Sequence, residues 1–397
     1  MRIIHIETVR PTSPGTLIFV QITTDEGLIG LGETWFGPET VEAEIHGRLA
    51  PQLLGKDASR IPELTQLMRP YVGAWGAGAE MRALSSVNIA LWDLAGKRLG
   101  APLYDLLGGL SRDSIPVYNT CAGPDYVSKS SDVRPDNFNE ADGEFEDLTA
   151  FMERPVELAE SLLEMDVRSM KIWPFDFAEG ARLGLEISTA DLKRGLEPFE
   201  SIRAALGDRM ALKAELHGLW SLPAARKICK ALEPIGVDWV EDPVWMDRPD
   251  MIDQLAGSTT CPIAGGETLG GLGQFERLIA DGAVAYPILD VAWGGGIDFA
   301  REVAPLADAA GRPISFHDCS GPVTLSVSTH LALSIGNVRE QEMTRAFYFT
   351  SYPRLVNGIP VLDRGRIHVT GLNGHGVTLR DEVAQECGAV RRVTAID

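Results

Sequence analysis

The sequence predicts a (β/α)8 barrel of the TIM type, with an N-terminal α+β capping domain that the C-terminal segment completes. Three observations predict this fold. A hairpin and a long helix come first, apolar runs then alternate with helical windows, and Glu215, Glu241 and Glu267 end three such runs at intervals of 26 residues. This interval suits one strand followed by one helix, so it indicates successive strand–helix units.

The first part of the chain predicts the capping domain. Met1 to Glu7 is typical of a strand, and residues 17–33 alternate around the turn Asp25-Glu26-Gly27, which is typical of a β-hairpin. Met81 to Arg98 predicts a helix that ends before Gly100. One face of that helix carries a mainly apolar stripe, formed by Leu84, Val87, Asn88, Leu91, Leu94 and Ala95.

The middle of the chain predicts the barrel. Helical windows separate its strand-like runs, for example residues 221–232 and a helix that starts at the N-cap Asp298. We expect domain boundaries at 1–114 for the cap, 115–352 for the barrel and 353–397 for a segment that packs back on the cap. The eight predicted strands are Ile115–Asn119, Ser169–Ile172, Ala211–Glu215, Asp238–Glu241, Ile263–Gly266, Pro287–Asp290, Ile314–Phe316 and Val338–Glu342.

Composition excludes several classes of protein. The net charge of −20 and the pI near 4.8 argue against nucleic acids and anionic membranes as partners. No run approaches the roughly 20 apolar residues that a membrane span needs. We therefore expect a cytoplasmic protein without a targeting segment, present as a homo-oligomer. The cysteines are odd in number and scattered along the chain, which predicts a reducing compartment and no zinc site. They are Cys121, Cys229, Cys261, Cys319 and Cys387.

The strand ends predict an active site. If the runs are parallel barrel strands, Glu215, Glu241 and Glu267 converge at the C-terminal mouth, where they would repel one another without a cation. All-oxygen ligands favour Mg²⁺. Other ionisable side chains end neighbouring runs and belong to the same rim: Lys171, Asp290, His317 and Glu342.

The segment from Asn88 to Lys97 and the run Leu106-Leu107-Gly108-Gly109 resemble the mandelate racemases, muconate-lactonising enzymes and acid-sugar dehydratases of the enolase superfamily. The order of the rim residues resembles that family too. The resemblance implies that the three glutamates hold Mg²⁺ and that Lys171 is a base on one face of the substrate. It implies that the pair Asp290 and His317 acts on the other face, and that Glu342 is a hydrogen-bond donor or acid.

The chain departs from the family pattern at three positions. The second strand keeps only Lys171 of a Lys-x-Lys pair, so Mg²⁺ or a protonated His217 has to lower the pKa of that lysine. The first metal ligand is Glu215, where Asp is common. His217 occupies a position that is commonly Asn, and in mannonate dehydratases of the superfamily a histidine there is catalytic. An acid/base role and a substrate-binding role stay open for His217.

Simpler interpretations apply to several residues. Lys213 shares a strand face with Glu215 and is expected as a buried counter-ion deeper in the barrel. Glu340 competes with Glu342, although the Gln341-Glu342 pattern of the family favours Glu342. We expect Cys319 to be a packing residue and not a nucleophile. The glycines 294–296 predict a turn and not a phosphate site.

The expected function is removal of the proton α to a carboxylate, followed by loss of water from an acid sugar. In this scheme Lys171 is the base and His317 protonates the leaving hydroxyl. The same two groups on opposite faces suit a racemase or epimerase, and a catalytically lapsed metal- or acid-binding relative is the alternative of another class. Residues 33–35 and 73–78 are expected to set specificity, and 123–154 is either a lid or a solvated insertion.

Overall fold

Three strands from the N-terminal part of the chain and one from its C-terminal end form a four-stranded antiparallel sheet, in a computed structural model that describes residues 1–69, 76–126, 144–280 and 284–396. The strand order is β16-β1-β2-β3. The predicted first strand and hairpin are confirmed. The strands are β1 (Ile3–Arg10), β2 (Leu17–Thr24), β3 (Ile29–Trp35) and β16 (Val390–Ala395).

The long helix predicted from the apolar stripe is present, and it packs tightly on this sheet. Gly30 and Gly32 of β3 allow the contact, because a Cβ there would lie 2.1 Å from the carbonyl oxygen of Ala90 and 1.9 Å from that of Ser86. The long helix ends at Gly100, which has φ of 65°. The helices are α1 (Pro38–Glu44), continued by a π-helical turn (Ile45–Leu49), α2 (Ala50–Leu53), α3 (Ile61–Met68), the long α4 (Ala79–Leu99) and α5 (Leu103–Leu106).

Eight parallel strands form a closed barrel, and the pairing of the last strand with the first closes it. The predicted barrel fold is therefore confirmed, and each predicted run contains one strand to within two residues. The strands are β4 (Ile115–Thr120), β5 (Ser169–Ile172), β6 (Ala211–Glu215), β7 (Trp239–Glu241), β8 (Ile263–Gly265), β9 (Tyr286–Leu289), β10 (Ile314–Phe316) and β11 (Val338–Met343).

Helices connect the barrel strands, and one of them begins earlier than predicted. Asp298 is not an N-cap: α13 begins at Gly296, and the Asp298 carboxylate instead accepts hydrogen bonds from Thr65, Asn88 and Trp92 of the capping domain. Among the described helices, none has the length and apolar character needed to cross a membrane. The connecting helices are α6 (Asp147–Glu153), α7 (Pro155–Glu164), α8 (Thr189–Leu206), α9 (Leu222–Leu232), α10 (Pro249–Ala256), α11 (Leu272–Ala280), α12 (Val291–Gly294), α13 (Gly296–Ala309) and α14 (Pro322–Ser334).

The chain after the barrel contacts both parts of the molecule. β16 pairs antiparallel with β1 in the capping sheet, whereas β14 (Arg366–His368) pairs antiparallel with the start of β4. The segment thus packs on the cap at one end and on the barrel at the other, and the domain boundaries stay a prediction. Its elements are α15 (Arg345–Phe349), α16 (Tyr352–Leu355), β12 (Val356–Asn357), β13 (Val361–Asp363), β14 (Arg366–His368), β15 (Thr378–Leu379) and α17 (Asp381–Gln385).

Candidate active site

The carboxyl ends of the barrel strands surround a cleft that is open to solvent. Residues of the capping domain, Trp35 and Phe36, form part of its wall. Glu241 and Asp290 lie behind the wall and contact lining residues. The structure therefore brings all the predicted site residues together; those that line the cleft are Lys171, Glu215, His217, Glu267, His317 and Glu342.

Three buried glutamates form a candidate metal site. Glu215, Glu241 and Glu267 each contribute a carboxylate oxygen, and these oxygens lie within 4.8 Å of one another. Neighbouring oxygens that share one Mg²⁺ at roughly 2.1 Å lie about 3 Å apart in octahedral geometry, so the carboxylates would draw closer together around the ion. Burial raises the pKa of Glu241 and Glu267, and the charge of Glu215 adds to this effect. A divalent cation would allow all three to ionise, so the residues fit the metal.

A backbone turn accommodates Glu215, the first candidate metal ligand, whose side chain is longer than that of the aspartate common at this position. Oε1 of Glu215 accepts hydrogen bonds from the N–H groups of Leu216 and His217, at 3.0 and 2.8 Å, which draws the carboxylate back toward its own strand. His217 has φ of 48°, a left-handed conformation that is uncommon for a side chain of this size. The extra methylene of Glu215, relative to aspartate, is taken up by this folded arrangement.

Lys171 supplies positive charge at the same place. Its Nζ lies 2.7 Å from Glu241 Oε1, 2.9 Å from Glu342 Oε1 and 3.1 Å from Glu215 Oε2. Burial opposes the charge on Lys171, but these carboxylates outweigh burial and raise the lysine pKa well above its usual range. With no metal bound to the glutamates, Lys171 is therefore an ammonium ion.

His317 is held by Asp290 at one side of the cleft. Its Nδ1 lies 2.7 Å from Asp290 Oδ2, and its Nε2 lies 3.5 Å from Glu267 Oε2. Asp290 also accepts hydrogen bonds from the backbone of Ala292 and Trp293. The carboxylate of Asp290 is thus fixed, and it orients the imidazole with Nε2 toward the candidate metal site.

A second imidazole–carboxylate pair lies at the cleft, and its carboxylate was not predicted from the sequence. Nδ1 of His217 lies 2.6 Å from Oδ2 of the buried Asp176, and the ring packs edge-on against Trp173. Burial opposes the charge on His217, but Asp176 and Glu215 raise its pKa to about 9. The sequence offers one signal that could have predicted Asp176: it is an acidic residue five positions after Lys171, in the loop that follows the second barrel strand.

The two candidate acids of the last barrel strand share a strand face but lie at different depths in the barrel. Glu342 faces the mouth, where its Oε2 accepts a hydrogen bond from Asp318 N–H, whereas Glu340 lies 3.0 Å from Lys213 Nζ on the barrel floor. Lys213 is thus the expected deeper counter-ion. Burial opposes ionisation of Glu342, but Lys171 and His317 lower its pKa to about 2. Glu342 is therefore ionised, and a donor role would require it to take up a proton.

Aromatic and small polar side chains complete the wall. The indole Nε1 atoms of Trp173 and Trp293 are buried and find no hydrogen-bond partner among the described residues. They are therefore candidate donors to substrate oxygens. Cys319 also lines the cleft, but burial raises the pKa of its thiol well above the usual range, so it is not a thiolate. Four lining residues were not predicted from the sequence: Thr120, Tyr126, Trp173 and Trp293.

The predicted specificity and lid segments are only partly within the described residues. Of residues 33–35, Trp35 reaches the cleft, whereas Glu33 bonds to the start of α14. Residues 73–75 and 127–143 lie outside the described part of the chain, so the predictions made for them stay predictions. The glycines 294–296 form a turn between α12 and α13, where a Cβ on Gly296 would lie 2.4 Å from Asn88 Oδ1.

The fold and the site define a class of protein: a barrel enzyme with an acidic cation site and several proton-transfer groups at the carboxyl ends of its strands. Residues 4–108 match the family described as the mandelate racemase/muconate lactonizing enzyme N-terminal domain, and residues 154–383 match the enolase C-terminal domain-like family. The chain belongs to the mandelate racemase/muconate lactonizing enzyme family of the enolase superfamily.

Curated relatives and solved structures agree with this family. The chain is 27% identical to a D-galactonate dehydratase of Pectobacterium atrosepticum and 28% to one of Ralstonia nicotianae, covering 97% of this chain and 94% of each relative. An enolase protein from the Sargasso Sea and an enolase of the mandelate racemase subgroup from Agrobacterium tumefaciens share 39% and 40% identity with it. Both superpose with a TM-score of 0.88 over 100% of this chain and 99% of theirs.

Proposed function

We propose that this protein is a Mg²⁺-dependent acid-sugar dehydratase. It removes the proton α to the substrate carboxylate and eliminates the β-hydroxyl as water, which gives a 2-keto-3-deoxy acid. The observation that carries this proposal is one cleft that combines three clustered glutamates with Lys171, His317 and His217. The curated relatives named D-galactonate dehydratase support the same reaction class.

The chemistry requires concentrated positive charge beside the substrate carboxylate. Loss of the α-proton places a second negative charge on an already anionic group, and Mg²⁺ held by Glu215, Glu241 and Glu267 would supply charge to stabilise it. Lys171 adjoins two of these ligands, Glu215 and Glu241. The substrate is thus bound where its developing charge is best compensated.

Lys171 and His317 are proposed as proton-transfer groups on two sides of the substrate. Their strands, the second and the seventh of the barrel, are separated by several others. Glu215 and Glu241, if they held the metal, would no longer offer their full negative charge to Lys171, and the pKa of the lysine would fall. This change would allow Lys171 to act as the base, while an imidazole of the cleft delivers a proton to the leaving hydroxyl.

A racemase or epimerase is the second candidate function. The placement of Lys171 and His317 on different sides of the cleft favours it, because one group could remove the α-proton and the other could return it to the opposite face. This reaction leaves the β-hydroxyl in place, so the two functions differ in their product.

The test is incubation of the Mg²⁺-loaded protein in D₂O with a panel of aldonates and aldarates that begins with D-galactonate. Formation of a 2-keto acid, detected as its semicarbazone, together with loss of activity in Lys171→Ala and His317→Asn, supports the dehydratase. Deuterated, stereo-inverted acid without a keto product would identify a racemase. Absence of both reactions across the panel, with ligand binding that the two substitutions leave unchanged, would identify a lapsed relative.

A further inference from the structure

Arg82 of the capping domain contacts two aromatic side chains that line the cleft. It lies near the start of α4, and its guanidinium carbon is 5.2 Å from the ring centroid of Trp293 and 5.8 Å from that of Phe36. Both distances are within the roughly 6 Å range of cation–π interactions. Within the described residues Arg82 makes no ion pair, and its side chain donates one hydrogen bond, from Nη1 to Phe36 O at 3.4 Å. The two rings are therefore its principal partners.

The indole of Trp293 is enclosed by side chains of both domains. Its ring centroid lies 5.6 Å from that of Phe36 and 4.9 Å from that of the His317 imidazole. Its Nε1 is buried and makes no hydrogen bond among the described residues, although the side chain lines the cleft. A buried indole N–H usually has an acceptor, so a substrate oxygen is the expected partner.

Phe36 has an uncommon backbone conformation at the same place. Its φ is 68°, in the left-handed region that bulky residues rarely adopt. Its N–H donates to Thr16 O at 3.0 Å, its carbonyl oxygen accepts the hydrogen bond from Arg82, and its ring stacks on Trp35 at 5.1 Å. Such conformations persist where the surroundings maintain them, often at binding sites. Arg82 thus holds both the backbone and the ring of Phe36 against Trp293.

An alternative role for Arg82 is that of counter-ion to Asp290. Burial lowers the pKa of Arg82, and the charge of Asp290 opposes this effect. Asp290, however, already accepts hydrogen bonds from Ser320 Oγ and from two backbone N–H groups, in addition to its 2.7 Å contact with His317. The direct contacts of Arg82 are with the aromatic rings, so they favour a role through the rings.

We infer that Arg82 is a positioning residue that fixes the indole of Trp293 in the cleft wall, so that its Nε1–H donates a hydrogen bond to a hydroxyl group of the substrate. The donor part of the inference rests on the proposed dehydratase function. Arg82 belongs to the capping domain and Trp293 to the barrel, so the packing of the two domains sets the donor. Lys171 and His317 keep their own carboxylate partners without Arg82, so its loss should weaken substrate binding more than proton transfer.

The first test is the steady-state kinetics of Arg82→Met, which removes the charge and keeps much of the length of the side chain. For the aldonate that the wild type dehydrates fastest, KM is expected to rise roughly tenfold, the range of one cation–π contact or one hydrogen bond, with kcat within about threefold of wild type. Arg82→Lys retains a cation and should raise KM less. Trp293→Phe removes the N–H, and adding Arg82→Met to it should raise KM by less than about twofold more.

A matched control removes the same kind of contact outside the cleft. Arg301 of α13 lies 5.1 Å over the ring of Trp92, and Arg301→Met should leave KM and kcat unchanged. An unchanged KM in Arg82→Met would overturn the inference, and a fall in kcat with a shifted pH profile would then identify a counter-ion of Asp290. Fully additive effects of Arg82→Met and Trp293→Phe on KM would also overturn it, because Arg82 would then act by another route.

A measurement without substrate separates the inference from the proposed function. The chain has eight tryptophans, and labelling with 5-fluorotryptophan gives each a ¹⁹F NMR resonance, of which Trp293→Phe removes that of Trp293. In the Mg²⁺-loaded protein this resonance should shift or broaden in Arg82→Met and stay in place in Arg301→Met. The other resonances report whether a variant is folded, and Arg82→Lys serves the same comparison if Arg82→Met does not fold.

The spectrum and the kinetics fail in different ways. An unchanged Trp293 resonance in the folded Arg82 variant would overturn the positioning role, even where the protein dehydrates an aldonate. If the wild type dehydrates no aldonate, the donor role fails together with the proposed function, whatever the spectrum shows.

Discussion

At the scale of single residues, some buried carboxylates line the cleft, whereas others join separate elements of the fold through hydrogen bonds. Asp93, within the segment that carries the family resemblance, is fully buried and bonds to Leu31 N–H, His375 N–H and Lys97 Nζ. It therefore joins α4, β3 and the C-terminal segment, and it lies outside the cleft. Glu33 likewise reaches across the domain interface, where it accepts a 2.6 Å hydrogen bond from Thr324 N–H at the start of α14.

Glu33 makes stability depend on pH in a predictable direction. Burial raises its pKa to about 7 despite hydrogen bonds from the backbone of Thr324 and Val323. Between its unfolded pKa near 4.5 and about 7 the folded state binds more protons than the unfolded state, so this residue lowers stability as pH rises. The full effect is about 3 kcal/mol.

Glu33→Gln should remove this dependence. Relative to the variant, the wild type should lose about 2 kcal/mol of unfolding free energy between pH 5.5 and pH 8, as measured by urea denaturation, because part of the full effect is already lost below pH 5.5. Glu302→Gln, at an exposed position on α13, is the control and should keep the wild-type dependence. An identical pH dependence of wild type and Glu33→Gln would contradict the prediction.

At the scale of elements, strands were predicted more accurately than the starts of helices. Parallel barrel strands are short apolar runs whose ends carry polar residues, and both signals are local. The start of α13 depends instead on another domain. Asn88 of α4 accepts hydrogen bonds from Ile297 and Asp298 N–H, at 2.9 and 3.4 Å, and its Nδ2 donates to Asp298 Oδ2 at 2.8 Å.

Asn88→Ala is expected to lower the free energy of unfolding by roughly 2 kcal/mol, because it removes the acceptor of the first N–H groups of α13 and one of the three donors to the Asp298 carboxylate. Denaturant unfolding of both proteins measures the loss. Glu302→Ala on the exposed face of the same helix should change stability by less than about 0.5 kcal/mol. Equal effects of the two substitutions would show that Asn88 does not cap α13.

At the scale of the whole molecule, closure of the barrel concentrates negative charge at one end. Consecutive strands contribute Glu215, Glu241 and Glu267, which lie 26 residues apart in sequence and within 4.8 Å in space. At the floor of the barrel, Lys213 and Glu340 form an ion pair, so their charges compensate each other. The mouth is therefore the part of the fold whose stability should respond to a divalent cation.

Mg²⁺ is expected to stabilise the native protein, because the site exists only in the folded state. At a concentration 100 times Kd the gain is about 2.7 kcal/mol, which raises the thermal midpoint. Glu241→Gln should abolish the shift. Glu340→Gln on the barrel floor should still show the Mg²⁺-induced rise, even if the thermal midpoint of this variant without Mg²⁺ is lower than that of the wild type. Calorimetry with and without Mg²⁺ measures both, and an unchanged shift in Glu241→Gln would contradict the assignment.

The sequence by itself determined the barrel, the cap and the residues at the mouth. It did so because strand period and strand ends are local signals, and parallel strands place their carboxyl ends on one side of a barrel. Only the tertiary structure decided which side chains pair there. Asp176 lies 41 residues from His217, Asn88 lies 209 from Ile297, and Glu33 lies 291 from Thr324. Such pairs depend on loop paths and domain packing, which leave no periodic pattern in the chain.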